Sequence, residues 1–293
     1  MSIFQALVLG ILQGIAEFLP ISSSGHLAVV QNLFGLELPL VFDVCLHLAT
    51  LLAVILVFRK RIWSLLCVFG RWITRKTKPE DSIELSMIVA ILVGTFVTGI
   101  MGIVASKFLP DFPIKLIFVG FIITAFLLIF SSKVSEKEQK NENSTELSKI
   151  SVKQGLFVGF AQGMGTLPGI SRSGITISAS LFAKINRETA GEFSFLLSIP
   201  AILGAFILEA KDLGTLTQTI SVLPLALGCL AAFTSGVVSL TMLMKLIKKG
   251  KLQWFAYYLI PLGILGLIFI KTSLIKSNAS KFINSKLFST INR

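Results

Sequence analysis

The chain contains 293 residues, of which 54% are hydrophobic and only 14% are charged, and its mean hydropathy is +0.84. About a quarter of the residues of a soluble domain are charged, so this composition excludes an ordinary cytosolic enzyme and a disordered protein. It predicts an all-α polytopic membrane protein. The formal net charge is +12. The basic residues lie between long apolar runs, so we interpret them as topology signals and expect no nucleic-acid partner.

Two apolar stretches of the sequence are interrupted by polar residues. The first, 3–36, is broken at Pro20 and the serines that follow it, and the second, 152–185, is broken at Pro168 and the polar run after it. Each half of these stretches is too short to cross a bilayer. Irregular polar backbone is tolerated at membrane depth only where protein or a wet cavity surrounds it. We therefore predict that both stretches are re-entrant helix–loop–helix hairpins.

Six further apolar stretches approach the roughly 20 residues that a spanning helix needs. They lie at about 41–58, 85–106, 114–132, 190–210, 220–244 and 254–271. The segment 59–78 carries seven Lys and Arg residues and no acid, so we predict that residues 59–82 form a cytoplasmic loop. Both chain termini then lie outside, with the first hairpin opening outward and the second inward.

An internal repeat emerges when the second half of the chain is laid over the first at a constant offset of 149 residues. The matched positions include Gln13-Gly14 with Gln162-Gly163, Ser24-Gly25 with Ser173-Gly174, and Asp43 with Glu192. We predict two repeats, 1–132 and 152–271, each a re-entrant hairpin followed by three transmembrane helices. A polar linker at 133–151 joins them and a basic tail follows at 272–293. The odd number of crossings in each half makes the second copy inverted, an arrangement that builds sites between broken helices.

The two interruptions contain the groups that bind anions. Glycine permits tight turns, and serine hydroxyls beside the backbone N–H groups of a helix start form an anion cradle. Arg172 stands where the first copy has Ser23. A guanidinium in an apolar zone is costly and suits phosphate oxygens, although it also pairs with carboxylates for purely structural reasons. The candidate contacts to an anion are Ser22, Ser24, Gly25, Ser171, Ser173 and Gly174.

Glu17 and His26 flank the first interruption. We expect Glu17 to bind a cation, act as an acid or base, or pair with Arg172. His26 is the natural proton carrier near neutral pH, or else a helix cap. Ser23 is the candidate nucleophile, with His26 activating it or protonating the leaving group. These residues together suggest phosphate-ester or diphosphate chemistry, in which Glu17 and the diphosphate of the substrate hold a divalent cation between them.

Three other ionisable residues lie in the predicted spans or at their starts. His47 stands inside an apolar span beside no motif, so we predict a structural role for it. Asp43 and Glu192 are matched by the repeat and lie near span starts. They either cap helices, bond to the hairpin or touch the substrate.

Two motifs carry a resemblance to a known family. The first runs Gln13-Gly-Ile-Ala-Glu17-Phe-Leu-Pro-Ile-Ser-Ser-Ser-Gly-His26 and the second runs Pro168-Gly-Ile-Ser-Arg-Ser-Gly174. With the order of the spans, they make the chain resemble the undecaprenyl-diphosphatase family, also called the bacitracin-resistance protein family, over nearly its whole length. Gln13 stands where many members have a glutamate, which places the essential-acid role on Glu17 alone. We count Gln13 among the contacts to substrate.

The resemblance implies a multi-pass enzyme of the bacterial inner membrane that removes the terminal phosphate of undecaprenyl diphosphate, giving the monophosphate carrier used in cell-wall synthesis. It implies Glu17, Ser23, His26 and Arg172 as the catalytic set, a divalent cation (Mg²⁺ or Ca²⁺) at Glu17, and a homodimer.

The rival class is a transporter of polyprenyl phosphate lipids, since inverted repeats and broken helices are also transporter features. A membrane scaffold is a third class, but it does not explain Glu17 and Arg172 in apolar surroundings.

Overall fold

The computed structural model describes residues 1–36, 38–108, 113–139, 149–210 and 220–269. Within these ranges the chain forms eleven α-helices, one 3-10 turn at Pro79–Asp81 and no strand. The predicted tail 272–293 and residues 140–148 of the predicted linker lie outside the described residues. The helices are α1 (Ile3–Phe18), α2 (Ser23–Leu33), α3 (Leu40–Val57), α4 (Arg59–Ile73), α5 (Ser82–Phe108), α6 (Ile114–Gln139), α7 (Val152–Met164), α8 (Arg172–Phe182), α9 (Arg187–Glu209), α10 (Val222–Lys248) and α11 (Trp254–Phe269).

The two broken helices form as the sequence predicts. In the first, α1 ends at Phe18 and α2 begins at Ser23, so the break falls at Pro20. In the second, α7 ends at Met164 and α8 begins at Arg172, with Pro168 between them. Proline has no N–H to donate and disfavours helix in the residue before it, which explains the end of α1. α7 ends earlier relative to its proline, with Gly165 as its C-cap. Each hairpin therefore turns back where its polar run lies.

Among the residues that the structure describes, five helices are long and apolar enough to cross a membrane: α3, α5, α6, α9 and α10. They correspond to five of the six predicted spans, with ends that differ by a few residues. The predicted linker starts too early, because α6 continues to Gln139. The sixth prediction, 254–271, corresponds to α11, which has 16 residues and ends at Phe269. Residues 270 and 271 of that prediction lie outside the described residues.

The prediction of a loop over 59–82 is wrong, because α4 occupies Arg59–Ile73. Its apolar residues recur at helical spacing between the basic ones, and such a helix is amphipathic. One face packs on the protein through Leu65 and Val68, while other large apolar side chains of α4 remain exposed: Trp63, Leu66 and Ile73. Arg61 joins α4 to the neighbouring helices, since it lies 2.7 Å from Glu84 of α5 and 3.3 Å from Glu192 of α9.

Each half of the chain sends its first helix against a long helix of the other half. α1 packs along α10 and α7 packs along α5. Glycines permit both close crossings: a Cβ on Gly10 would lie 2.1 Å from the Gly228 carbonyl oxygen, and one on Gly159 would lie 2.5 Å from the Gly94 Cα. Gly10 and Gly159 are related by the offset of 149. This shared packing favours the predicted repeat. The inverted orientation of the second repeat relative to the first stays a prediction.

Candidate active site

A cavity of about 250 Å³ lies where the two helix breaks approach each other. Its wall comes from the end of α1, the start of α2, one face of α3, the second break with the start of α8, and the middle of α9. A Cβ on Gly174 would lie 3.2 Å from Pro20 Cβ, so the breaks are in close proximity. The hairpins thus bring polar residues from both halves of the chain to one partly open cavity.

Glu17 is the residue on which the polar groups of the cavity converge. Its side chain is 4% exposed. One carboxylate oxygen, Oε1, accepts a hydrogen bond from Arg172 Nη2 across the two hairpins. The other, Oε2, accepts from Ser23 Oγ at 2.7 Å and from Gln13 Nε2 at 3.2 Å, and it lies 3.3 Å from His47 Nε2. A buried carboxylate needs such partners, and here they include the candidate nucleophile.

Local geometry at the first break places Ser23 on Glu17. Glu17 lies in the last turn of α1, and Ser23 is the first residue of α2. Between them, Ser22 has φ of +72°, in the left-handed region that residues other than glycine adopt with strain. Its hydroxyl makes no capping bond to α2. The tight turn that results folds the start of α2 back onto the end of α1.

The second break fixes Arg172 at the start of α8. Ser171 Oγ accepts a hydrogen bond from Gly174 N–H at 3.1 Å, which caps the helix. The Ser171 N–H donates to Thr124 Oγ1 of α6 at 3.1 Å. Gly169 has φ of +89°, and a Cβ there would lie 2.2 Å from the Ile117 carbonyl oxygen, so only glycine fits this approach to α6. Arg172 therefore extends from a firmly anchored helix start.

Several groups at the cavity are suited to an anion. Arg172 Nη1 and Ser22 Oγ are buried, have no hydrogen-bond partner in the described structure, and belong to residues that line the cavity. Two helix starts, those of α2 and α8, meet the same space, and helix N-termini attract negative charge. A phosphate group would supply the acceptor oxygens that these donors lack.

The structure separates His26 from the other predicted catalytic residues. Its Nδ1 lies 2.8 Å from the Ser22 carbonyl oxygen, and its Nε2 lies 2.8 Å from the hydroxyl of Tyr258 on α11. A carbonyl only accepts, so Nδ1 carries the hydrogen and Nε2 accepts from the tyrosine. The ring packs beside Phe121 of α6 and does not line the cavity. Ser23 donates to Glu17 in this structure and not to His26. That His26 activates Ser23 or protonates the leaving group stays a prediction.

His47 contacts Glu17 at the cavity wall, so the prediction of a merely structural residue did not anticipate its position. Asp43 lines the cavity one turn earlier on α3, and its carboxylate accepts a hydrogen bond from Gln31 of α2 at 2.7 Å. This is the predicted bond to the hairpin. No motif marks His47 or Gln31. For His47, the only signal in the sequence was an ionisable residue, Asp43, one helical turn earlier on the same apolar helix.

The remaining predicted contacts divide into two groups. Ser24 and Ser171 line the cavity with Ser22. The others do not line it: Gln13, Gly25, Ser173 and Gly174. These four support the wall, since Gln13 bonds to Glu17, Ser173 Oγ lies 3.2 Å from Ser171 Oγ, and a Cβ on Gly25 would meet Phe121 at 2.7 Å. Glu192 lies with Arg61, away from the cavity.

The donor set does not fit a metal ion held by the protein alone. Within the described ranges, no three His, Cys, Asp or Glu side chains are grouped so that they would hold one. Both oxygens of Glu17 are already engaged, one by Arg172 and the other by Ser23. Carboxylates free of such donors are what Mg²⁺ and Ca²⁺ require.

The fold and the cavity define a polytopic membrane protein that holds an acid, a serine and an arginine between two broken helices. Residues 6–265 match the family described as bacitracin resistance protein BacA, and the chain belongs to that family. An undecaprenyl-diphosphatase of Treponema denticola is 56% identical over 265 residues, which cover 90% of this chain and 96% of that protein. Undecaprenyl-diphosphatases of Borrelia recurrentis and Carboxydothermus hydrogenoformans are 40% and 38% identical, covering 88% and 96% of this chain and 96% and 100% of theirs.

Proposed function

We propose that the protein is a membrane hydrolase that converts undecaprenyl diphosphate and water to undecaprenyl phosphate and inorganic phosphate. The observation that carries this proposal is the hydrogen bond of 2.7 Å from Ser23 Oγ to Glu17 Oε2, on a carboxylate that also holds Arg172. A nucleophile, a base and a guanidinium are the groups that phosphoryl transfer needs. The names of the relatives support the hydrolase over the transporter alternative.

The chemistry begins with binding of the terminal phosphate. Arg172 Nη1 and Ser22 Oγ, which lack partners, bond to its oxygens, and the two helix starts add N–H groups. Glu17 Oε2 takes the proton of the attacking hydroxyl. The new oxygen–phosphorus bond forms as the bond from the bridging oxygen to that phosphorus breaks. The leaving group is the lipid monophosphate, which departs as an anion and needs no proton.

Two routes use the same geometry. In one, Ser23 attacks, and water then cleaves the phosphoserine to restore the hydroxyl. In the other, water attacks directly and Ser23 only binds phosphate. Glu17 Oε2 is the proton acceptor in both, because no other carboxylate oxygen bonds to Ser23 among the described residues. A phosphorylated serine, trapped by acid quench and found by mass spectrometry, is expected only for the first route.

The surroundings suit a lipid substrate. Apolar residues of α2 and α9 line the cavity beside its polar end, including Leu27, Ala28 and Ile202. The head group enters between the hairpins while the prenyl tail stays in the bilayer. We place the enzyme in the bacterial inner membrane and expect a homodimer, as the resemblance implies. We place the opening of the cavity on the outer side, as the charges of the loops imply. Its product is the carrier that cell-wall synthesis consumes.

A divalent cation, Mg²⁺ or Ca²⁺, remains part of the proposal as a companion of the substrate. Diphosphate oxygens would supply most of its ligands, as is common for Mg²⁺, and Glu17 would join them only after releasing one of its present donors, Arg172 or Ser23. Bound there, the ion would neutralise charge on the transferred phosphate. Phosphate release measured with each metal and with chelator tests this part independently.

The first experiment is phosphate release from undecaprenyl diphosphate by purified protein in detergent. Ser23→Ala and Arg172→Ala are expected to lower the rate by at least about a thousandfold, since each removes a group that acts on the transferred phosphate. Thermal unfolding of each variant serves as the folding control. If folded wild-type protein releases no phosphate with any metal while still binding the lipid, the hydrolase proposal is wrong and the transporter takes its place.

A further inference from the structure

His47 is held in one orientation by its own helix. Its Nδ1 lies 2.7 Å from the carbonyl oxygen of Asp43, one turn back along α3. Because a carbonyl only accepts, Nδ1 is the donor, and Nε2 is left to face Glu17 Oε2 at 3.3 Å. A hydrogen bond between these two atoms requires one proton between the imidazole Nε2 and the carboxylate. The ring is a fixed partner of the oxygen to which Ser23 donates.

We propose that His47 is a positioning residue for catalysis, which keeps Glu17 Oε2 directed at Ser23 when Arg172 engages the substrate. This inference rests on the proposed hydrolase function. Arg172 and His47 divide the carboxylate between them, with Arg172 on Oε1 and His47 on Oε2. The guanidinium has a further nitrogen, Nη1, to offer a phosphate. A substrate anion competes for Arg172, whereas His47 comes from another wall and keeps its hold.

The other neighbour of Oε2 is a weaker support. Gln13 Nε2 lies 3.2 Å from Oε2, but it is neutral and belongs to α1, the helix that also carries Glu17. It cannot fix α1 relative to the rest of the site. His47 belongs to α3, which packs against α1, α9 and α10. The contact of His47 thus ties the catalytic carboxylate to the long helices of the fold.

The second half of the chain shows that packing alone does not require histidine at this place in the helix. The offset of 149 pairs His47 with Leu196 of α9. Leu196 is buried in the apolar core, whereas His47 lies on the cavity wall with 22% of its side chain exposed. A leucine satisfies the packing need where there is no carboxylate opposite. The imidazole is present in the half that has Glu17.

The test compares two substitutions that separate packing from hydrogen bonding. His47→Leu fills much of the volume without a donor, and His47→Gln retains an N–H that reaches toward Glu17. We expect His47→Leu to lower kcat about thirtyfold with KM within about twofold, and His47→Gln to stay within about threefold of wild type in both. Thr50→Val is the matched control, because it removes a buried hydroxyl on α3 that bonds only to the His47 carbonyl.

The outcomes separate the possible roles. Retention of kcat by His47→Leu shows a packing role and overturns the inference, and so does an equal loss in both variants. A rise in KM with kcat unchanged shows direct binding of substrate, which also overturns it. If the wild-type protein is itself inactive in the same assay, the proposed hydrolase function is wrong, and the result says nothing against the contact between His47 and Glu17.

A measurement that needs no activity examines the contact itself. Thermal unfolding is followed for His47→Leu, Glu17→Gln and the double variant. If His47 acts through Glu17, the change in Tm of the double variant departs from the sum of the single changes by about 2 °C or more. Additive changes mean that the two side chains do not interact, and the inference is then wrong even if the enzyme is inactive in detergent.

Discussion

Gly10 in the first hairpin and Gly159 in the second play the same part in the fold, since each lets its helix cross a long helix of the other half at backbone contact. The polar residues at the two helix breaks, by contrast, differ between the hairpins. Glu17 is matched by Thr166, and Ser23 by Arg172. Close packing needs glycine at both positions. The side chains that converge on the cavity instead differ, with an acid and a serine from the first hairpin and an arginine from the second. The proposed phosphate chemistry uses this difference.

The second helices of the hairpins also differ in their surroundings. Eight of the eleven residues of α8 are buried, against three of eleven in α2. α8 is joined to its neighbours by buried hydroxyls, with Thr176 Oγ1 2.6 Å from Ser194 Oγ and Ser178 Oγ 3.0 Å from Ser131 Oγ. Arg172 therefore stands on an enclosed helix, whereas Ser23 stands on a more exposed one. In the proposed reaction, the arginine that binds the phosphate would therefore come from the more buried helix and the serine from the more exposed one.

The largest effect expected from this comparison concerns the pair Glu17 and Thr166. Glu17→Gln removes the proton acceptor for Ser23 and the counter-charge of Arg172, so kcat/KM for undecaprenyl diphosphate is expected to fall by about a thousandfold or more. Thr166→Ala, at the matched position of the second hairpin, is expected to change it by less than about tenfold. The two are compared by phosphate release at matched stability. Similar losses in both variants would mean that the hairpins contribute alike to catalysis.

A second prediction concerns the shared packing. Gly10→Val and Gly159→Val force a side chain into backbone atoms of α10 and α5, so each is expected to lower the free energy of unfolding by about 2–3 kcal/mol. Gly99→Ala in α5, where a Cβ meets nothing within 4 Å, is expected to leave stability unchanged or raise it slightly. Unfolding in detergent, followed by tryptophan fluorescence, measures all three. A large loss in one half alone would contradict equivalent packing.

The smallest effects are expected at the paired serines that precede α2 and α8. Ser22→Gly relieves a positive φ and is expected to raise the free energy of unfolding by about 0.5–1 kcal/mol while weakening substrate binding. Ser171→Ala removes a helix cap and is expected to lower the free energy of unfolding by about 1 kcal/mol. Thermal unfolding measures the change in stability, and KM measures the change in substrate binding. Changes of the same sign at both serines would remove the distinction between a strained and a capping residue.

The sequence predicted the parts of the site that chain-local rules govern. Prolines and polar runs inside apolar stretches located both helix breaks, and ionisable residues beside them identified Glu17 and Arg172. The position of His47 depends on how α3 packs against α1, which no local pattern states. The orientation of His26 is set by Tyr258, more than two hundred residues away in the chain. The density of basic residues in 59–78 indicated a loop, although the apolar residues between them recur at the spacing of the helix α4.

The crossing of α1 with α10 has a consequence for how the protein is made. α1 ends at Phe18 and α10 begins at Val222, so the helix that carries Glu17 leaves the ribosome more than two hundred residues before its main partner. At roughly 5–20 residues per second, that interval is on the order of 10–40 s. Until α10 is made, the glycine face of α1 lacks the helix on which it packs in the folded protein. A chain truncated before α10 is therefore expected to leave this face uncovered and to be treated by quality control as an unassembled membrane segment.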